Sequence, residues 1–253
     1  MGLGDLIYGA YARRLAAGLP PERVPRHVGV MLDGNRRWAR EKGAGTAAGH
    51  QAGADNIVPF LEWSEEAGVE IVTLWLLSTD NLRRGEDELA PLLKIIEKVV
   101  ADLAEARRWR VNIVGAVRLL PAQTAQRLVE CAATTADVAG LVVNIAVGYG
   151  GRREIADAVR SLLREAQAQG RTLAEVADTL EVTDIADHLY TKGQPDPDLV
   201  IRTSGEQRIG GFLLWQSTHS EFYFCEAYWP DFRRVDYLRA LRSFADRERR
   251  YGS

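Results

Sequence analysis

The chain has 253 residues, of which 46% are hydrophobic and 26% are charged, a composition typical of a globular protein with room for one large domain or two small ones. We expect one. The 32 Lys and Arg residues are outnumbered by 35 Asp and Glu, and the resulting net charge of -3 argues against nucleic-acid binding. Two cysteines, Cys131 and Cys225, support neither a disulfide framework nor a zinc site, which indicates a reducing, cytoplasmic location.

Residues 1–25 are interpreted as an N-terminal arm. Its start lacks the basic residues, long apolar core and cleavage site of a signal peptide. Apolar residues near helical spacing predict an amphipathic helix: Leu3, Leu6, Ile7, Tyr11 and Leu15. Such an arm could lie on a membrane surface, for instance at the inner face of the plasma membrane, although packing on the body or on a second subunit is favoured. No apolar run reaches the length of a transmembrane helix.

The next stretch is an apolar run over residues 28–32, which predicts a buried strand. It ends in an acid, a glycine and an amide, and arginines follow at once: Asp33, Gly34, Asn35, Arg36, Arg37, Trp38 and Arg40. A carboxylate at a strand end, a glycine that lets backbone approach a ligand, and several arginines suit a metal-chelated polyanion such as diphosphate. These residue types also favour a plain β-turn, and this stretch alone leaves both interpretations open.

Two later strands end in similar chemistry. Residues 70–77 read as a strand buried on both faces, followed by Ser78, Thr79, Asp80, Asn81, Arg83 and Arg84. Residues 199–201 read as a shorter strand, followed by Arg202, Thr203, Ser204, Gly205, Glu206, Gln207 and Arg208. Ligands of open α/β sheets bind at the carboxyl ends of strands, so three such ends indicate one anion-binding site.

The rest of the chain alternates between helical and strand patterns. A helix over residues 46–67 should be kinked or interrupted by Pro59. Residues 86–106 read as a long amphipathic helix whose apolar face is either ordinary core or the wall of an apolar tunnel. Further strands are predicted over 111–114 and 141–147, and further helices over 121–134, 152–169, 173–180, 184–190 and 231–250. This alternation predicts a single α/β domain with a mostly parallel central sheet surrounded by helices.

Six blocks of the sequence closely resemble the cis-prenyltransferases, the family of undecaprenyl diphosphate synthase and other Z-isoprenyl diphosphate synthases. They are HVGVMLDGNRRWAR (27–40), TLWLLSTDNLRR (73–84), NIAVGYGGRREI (144–155), DLVIRTSGEQRIGGFLLWQ (198–216), WPDF (229–232) and FADRERRYG (244–252). The resemblance implies a catalytic domain over residues 26–253, with a parallel sheet, an apolar tunnel and usually a homodimer. It implies magnesium-dependent joining of isopentenyl diphosphate to an allylic diphosphate with a new cis double bond.

The resemblance also implies roles for individual residues. Asp33 is expected to be the central catalytic acid and a magnesium ligand, with Glu221 as a second ligand, and Asn81 is expected to assist proton removal. The substrate-binding set is expected to be Gly34, Asn35, Arg36, Arg37, Trp38, His50, Ser78, Thr79, Asp80, Arg84, Arg202, Ser204, Arg208, Ile209 and Gly210. Thr46 stands where many relatives have an arginine, which removes one charge contact to the allylic diphosphate.

The length of the product is expected to depend on Trp75, Leu76 and Leu77, in the tunnel wall. Long-chain relatives often carry a small residue at the position of Leu76, so its bulk predicts a short product, namely Z,E-farnesyl diphosphate from geranyl diphosphate. A longer product and the irregular coupling of two dimethylallyl diphosphates remain alternatives. A non-catalytic subunit of a heteromeric enzyme is less favoured, because Asp33, Arg202 and Arg208 are all retained.

Overall fold

A six-stranded sheet forms the centre of the computed structural model, which describes residues 3–247 without the side chains of residues 3, 5 and 6. The strands are β1 (His27–Met31), β2 (Ile71–Ser78), β3 (Arg110–Val114), β4 (Val142–Tyr149), β5 (Leu199–Arg202) and β6 (Glu221–Phe224). They lie in the order β3-β4-β2-β1-β5-β6, and every neighbouring pair is parallel. The predicted parallel α/β fold is therefore confirmed.

Helices cover the sheet on both faces, as a parallel sheet requires. They are α1 (Leu3–Ala17), α2 (Asn35–Glu41), α3 (Thr46–Asp55), α4 (Ile57–Ala67), α5 (Glu86–Ala106), α6 (Ala122–Ala133), α7 (Gly151–Ala168), α8 (Leu173–Thr179), α9 (Val182–Ala186) and α10 (Arg234–Ala245). A 3₁₀ turn, Asp80–Arg83, joins β2 to the loop before α5. The predicted bounds of α5 are confirmed, whereas the end of the predicted last helix, residues 248–250, lies outside the described residues.

The predicted helix over residues 46–67 is two helices, and the break lies at Asn56 rather than at Pro59. Pro59 is the third residue of α4, where its missing N–H costs no intrahelical hydrogen bond. The side chain of Asn56 holds the break in place, because its Nδ2 donates to the carbonyl oxygens of Trp229 and Phe232 at 2.9 Å each.

The N-terminal helix α1 packs against α10. Ala12 and Leu15 are buried in this contact, and the hydroxyl of Tyr8 accepts a hydrogen bond from the backbone N–H of Val235 at 3.2 Å. Ile7, by contrast, is 62% exposed. The arm thus packs on the body, which is one of the two arrangements that its sequence favoured. Among residues 3–247, no helix combines the length and the apolar character needed to cross a membrane.

A buried ladder of polar side chains links four strands on one face of the sheet. Asn112 Nδ2 donates to Asn144 Oδ1 at 3.1 Å, and Asn144 Nδ2 donates to Thr73 Oγ1 at 3.0 Å. Thr73 Oγ1 lies 2.8 Å from His27 Nε2, and His27 Nδ1 lies 2.8 Å from the carbonyl oxygen of Pro195. A slip of one residue in any of these strands would bury unpaired polar groups, so the ladder fixes the register that aligns the strand ends.

Helices α2 and α3 approach closely at two glycines. A Cβ added to Gly53 would lie 2.5 Å from Asn35 Oδ1, and one added to Gly49 would overlap the carbonyl oxygen of Asn35. Close packing at these glycines holds α3, and with it His50, against the start of α2. The positions of Gly49 and Gly53 therefore set the distance between His50 on α3 and the polar residues at the start of α2.

We expect Gly49→Ala to lower the free energy of unfolding by about 1–3 kcal/mol, because the added methyl group meets backbone that cannot move aside freely. Urea denaturation followed by circular dichroism measures this change. Gly45→Ala is the matched control, since a Cβ at Gly45 would meet no atom within 4 Å. Equal stabilities of the two variants would contradict the close-packing argument.

Candidate active site

Three strand ends meet at one edge of the sheet. Asp33 follows β1, Ser78 ends β2 and Arg202 ends β5. The hydroxyl of Thr203 ties two of these ends together, because it donates to the carbonyl oxygen of Asp33 at 2.7 Å and accepts from the Asp33 N–H at 2.9 Å. The convergence that the sequence predicted is therefore produced by the parallel pairing of neighbouring strands and by a side-chain link between them.

Asp33 lies between two arginines at this edge. Its Oδ2 is 2.7 Å from Arg202 Nη2, and its Oδ1 is 3.5 Å from Arg37 Nη2. Burial raises the pKa of Asp33, but the hydrogen bond and charge of Arg202, together with Arg37, outweigh burial and hold the pKa below its usual value. The carboxylate is therefore ionised at neutral pH, and it is partly exposed to the cavity beside it.

Gly34 turns the chain from β1 into α2. Its φ is +105°, and a Cβ at this position would lie 2.6 Å from Cδ1 of Tyr228. Both the backbone conformation and the close contact require glycine. The turn brings Asn35, Arg36 and Arg37, at the start of α2, to the rim of the same cavity as Asp33.

The cavity has a volume of about 570 Å³, within the range of ligand-binding pockets. Its mouth is lined by polar and charged residues: Asp33, Asn35, Arg36, Arg37, His50, Ser78, Asp80, Asn81, Arg84, Arg202, Glu206 and Arg208, with Gly34, Gly53 and Gly210. Its remaining wall is apolar: Met31, Leu32, Ala54, Ile57, Trp75, Leu76, Leu92, Ile95, Ile96 and Val99. Helix α5 therefore has both of the roles that its sequence left open, since its apolar side lines the cavity in part and joins the core elsewhere.

One side of the mouth carries three basic residues around one acid. Glu88 Oε1 lies 2.8 Å from Arg84 Nη1 and 3.6 Å from His50 Nε2, and Glu88 Oε2 lies 3.7 Å from Arg36 Nη1. Burial and the charge of Arg84 lower the pKa of His50. Glu88 was not predicted as a site residue, although its position four residues after Arg84 at the start of a predicted helix was a usable signal.

The other side of the mouth repeats this arrangement. Arg37 Nη2 donates to Ser204 Oγ at 2.6 Å, and Arg37 Nη1 lies 3.3 Å from Glu206 Oε1. Arg208 also pairs with Glu206, and Arg202 donates to the carbonyl oxygen of Arg208. Glu206 was not predicted as a site residue, because its partner Arg37 lies 169 residues away in the chain.

Several predicted site residues lie outside the lining of this cavity: Trp38, Leu77, Thr79, Ser204, Ile209 and Glu221. Ser204 acts through Arg37, as described above. The Trp38 ring lies under Lys42 Nζ, and Ile209 packs against a second buried cluster that contains Phe212. The backbone N–H of Thr79 donates to the carbonyl oxygen of Tyr149 at 2.9 Å.

The structure corrects the expectation that Leu77 lies in the tunnel wall. Leu77 is fully buried in the main hydrophobic core, whereas Trp75 and Leu76 both line the cavity. The pairing of β2 with β4 is irregular between Trp75 and Leu77, so strict alternation of side chains between the two faces fails there. Of the two leucines, Leu76 therefore lines the cavity and Leu77 does not.

The structure also corrects the expected pairing of Asp33 with Glu221 around a metal. Glu221 is the first residue of β6 and pairs in register with Leu199, the first residue of β5. It lies at the opposite edge of the sheet from Asp33, and its carboxylate pairs with Arg247. Within residues 3–247 no group of three or more His, Cys, Asp or Glu side chains is placed to hold a metal ion.

A charged mouth above an apolar wall defines a protein that accommodates an amphiphilic anion. Comparison with known proteins makes the assignment specific. The family model described as undecaprenyl diphosphate synthase, of the prenyltransferases, matches residues 31–252. The chain therefore belongs to this family, the cis-prenyltransferases, as its sequence blocks indicated.

Individual relatives cover almost the whole chain. It is 62% identical to (2Z,6E)-farnesyl diphosphate synthase of Thermobifida fusca, over 97% of each sequence. It is 58% identical to isoprenyl transferase 1 of Streptomyces avermitilis, over 99% of this chain and 98% of the relative. It is 52% identical to short-chain Z-isoprenyl diphosphate synthase of Mycobacterium bovis, over 99% of this chain and 97% of the relative.

A solved structure of the family is also similar. The crystal structure of lavandulyl diphosphate synthase from Lavandula x intermedia, in complex with dimethylallyl diphosphate, matches with a TM-score of 0.82 and 31% sequence identity. The match covers 90% of this chain and 98% of that chain. Sequence and fold thus lead to the same family.

The lowered pKa of His50 predicts a pH dependence of stability. The unfolded chain takes up a proton at His50 below about pH 6.5, more readily than the folded chain, so the free energy of unfolding should fall between about pH 7 and about pH 5. His50→Gln should reduce this fall, because the substituted side chain does not titrate. Urea denaturation of both proteins at the two pH values measures the difference. Burial also lowers the pKa of His27, so part of the fall should remain in the variant. Equal falls in the two proteins would contradict this role of His50.

Proposed function

We propose that this chain condenses isopentenyl diphosphate with an allylic diphosphate, forming a new cis double bond and releasing inorganic diphosphate. The main support is one cavity whose lining contains two clusters of cations and an apolar wall, with Asp33 paired to Arg37 and Arg202 of one cluster. Two diphosphates and one hydrocarbon chain have the charges and the polarity that these surfaces match. The names of the relatives support this choice of reaction.

The two substrates are assigned to the two sides of the mouth. The allylic diphosphate is placed on Arg36, His50 and Arg84, because the apolar wall for its hydrocarbon chain begins on that side, at Ala54 and Ile57 of α3 and α4. Isopentenyl diphosphate is placed on Arg202 and Arg208. Arginine and neutral or protonated histidine donate to phosphate oxygens, and the fixed guanidinium geometry orients the phosphates.

Ionisation of the allylic diphosphate requires that charge on the leaving group be stabilised by groups already in place. Arg36, Arg84 and the N–H groups at the start of α2 are held there by the fold. The apolar wall keeps water from the allylic cation, and the shared cavity holds the isopentenyl double bond beside it. The carbon–oxygen bond to the diphosphate breaks, the new carbon–carbon bond forms, and a proton is then lost from the isopentenyl unit.

Asn81 and Ser78 are proposed to assist that proton loss. Both line the cavity, and the backbone N–H of Asn81 donates to Ser78 Oγ at 3.0 Å. An amide is not a base at neutral pH, so Asn81 would orient the accepting group rather than take the proton itself.

Magnesium is proposed as the cofactor, and Asp33 as its protein ligand. Protein sites commonly hold Mg²⁺ by one or two carboxylates together with substrate phosphates, and the ionised Asp33, which lines the cavity beside Arg37 and Arg202, fits this donor set. When bound, the ion would neutralise charge on the leaving diphosphate. Glu221 of the same chain does not contribute, because it lies at the other edge of the sheet.

The product is proposed to be short, with Z,E-farnesyl diphosphate formed from geranyl diphosphate as the first candidate. Leu76 faces the cavity together with Ile96 and Val99 of α5, and these side chains limit the length that a product can reach. Irregular coupling of two dimethylallyl diphosphates is the second candidate, since a structural relative is a lavandulyl diphosphate synthase. The higher identity to the Thermobifida fusca enzyme favours regular elongation.

We also propose that the protein forms a homodimer, that it is cytoplasmic and that it makes a peripheral contact with the membrane. Strand β6 lies at the edge of the sheet, where Phe222 and Phe224 stack with ring centroids 6.3 Å apart and Phe224 is 37% exposed. A partly exposed aromatic pair on an edge strand supports the seating of a second copy there.

The proposed reaction is tested by incubating the purified protein with magnesium, isopentenyl diphosphate and dimethylallyl, geranyl or farnesyl diphosphate. We expect a short product with one new cis bond, identified by mass spectrometry and NMR. Asp33→Asn keeps the shape of the side chain and removes its charge, so we expect its kcat to fall by roughly a thousandfold. Full activity of Asp33→Asn, or no product from any primer, would contradict the proposal.

Product length is tested by two matched substitutions in β2. Leu76→Ala should lengthen the product by one or more isoprene units, because it deepens the cavity. Leu77→Ala removes the same atoms from the core instead, so it should lower stability by about 2–5 kcal/mol and leave the product unchanged. Chromatography of the products distinguishes the two, and equal products from wild type and Leu76→Ala would remove Leu76 as the limit.

A further inference from the structure

Glu88 lies on the same three basic residues to which the proposed function assigns the allylic diphosphate. Its two oxygens are shared among Arg84, His50 and Arg36 at 2.8, 3.6 and 3.7 Å. The carboxylate is on the first turn of α5, its side chain is only 23% exposed, and its three basic partners all line the cavity. A diphosphate bound to these three groups would compete with this carboxylate for their donors.

The contacts of Glu88 are unequal. The contact with Arg84 has hydrogen-bond geometry, whereas the distances to His50 and Arg36 exceed that range. His50 is 9% exposed, and its Nε2 is buried without a hydrogen-bond partner among the described residues. Because His50 lines the cavity, a ligand bound there is placed to supply the missing hydrogen bond. A diphosphate, with more oxygens than a carboxylate, can reach all three groups.

Glu206 has the equivalent position on the other side of the mouth. Its carboxylate lies 3.3 Å from Arg37 and pairs with Arg208, one of the residues assigned to isopentenyl diphosphate. Each of the two proposed diphosphate positions therefore contains one carboxylate of the chain itself.

We propose that Glu88 is a built-in counter-anion that the allylic diphosphate displaces, and that Glu206 acts in the same way towards isopentenyl diphosphate. Each carboxylate neutralises the basic residues of its side and lowers their affinity for diphosphate. The same competition favours release of the inorganic diphosphate that the reaction leaves behind. This inference rests on the proposed function for the assignment of each side, but the competition itself concerns any diphosphate.

The test compares Glu88→Gln with wild type by calorimetric titration with inorganic pyrophosphate, without any prenyl substrate. Glutamine keeps the size of the side chain and removes the charge, so we expect pyrophosphate to bind about fivefold more tightly, as loss of one partly exposed ion pair implies. A residue that merely positioned Arg84 and His50 would give the opposite sign. Unchanged or weaker binding by Glu88→Gln would overturn the inference.

Glu86→Gln is the matched control. Glu86 is an exposed residue on the same first turn of α5, so this variant loses the same charge and the same favourable interaction with the helix N-terminus. It should bind pyrophosphate as wild type does. Equal tightening in Glu86→Gln and Glu88→Gln would assign the effect to net charge and overturn the specific role of Glu88. Glu88→Ala, checked for folding by circular dichroism, should also bind more tightly.

Steady-state kinetics separate the two sides of the site. Glu88→Gln should lower the KM for the allylic diphosphate about fivefold and leave that for isopentenyl diphosphate unchanged, and Glu206→Gln should do the reverse. Equal shifts of both KM values in each variant would overturn the assignment of one carboxylate to one side. The titrations need no turnover, so tighter pyrophosphate binding without prenyl transfer would support the inference and contradict the proposed function.

Discussion

The constraint on which this structure depends is that several positively charged side chains meet at one edge of the sheet. Two guanidinium groups about 4 Å apart repel by several kcal/mol in a partly buried setting, so an arginine cluster requires anions close by. Here three carboxylates supply them: Asp33 between Arg37 and Arg202, Glu88 beside Arg84, and Glu206 beside Arg208. The cations are thus fixed in place by partners that a stronger anion can replace.

The same edge places this charge next to an apolar wall. The strands end in polar residues at their carboxyl ends, while α5 runs past that edge and turns Leu92, Ile96 and Val99 towards the cavity. A ligand with a phosphorylated head and a hydrocarbon tail matches both surfaces, and a head or a tail alone matches one. In the proposed reaction, the charged mouth acts on bond breaking and the apolar wall acts on product length, because they contact different parts of the substrate.

Much of this was predictable from local sequence. Apolar runs identified five of the six strands, and the polar residues after β1, β2 and β5 identified the site, because parallel strands end at a common edge. The wrong predictions concern which end of a strand a residue occupies and which way its side chain points. Glu221 was expected at the site although it begins β6, and Leu77 was expected in the tunnel wall although an irregularity in β2 turns it into the core. Glu88 and Glu206 were missed, since the other residues that each one contacts, His50 and Arg36 for Glu88 and Arg37 for Glu206, lie on other elements.

The sequence by itself determined the kinds of element, the chemistry at each strand end and the family, because propensity, periodicity and motifs are properties of neighbouring residues. Only the tertiary structure decided which charges pair across the cavity and which side chains line it. Arg37 and Glu206 are 169 residues apart, and no local pattern relates them. Their contact exists because β1 and β5 are neighbours in the sheet, and that adjacency follows from packing the whole chain around one core.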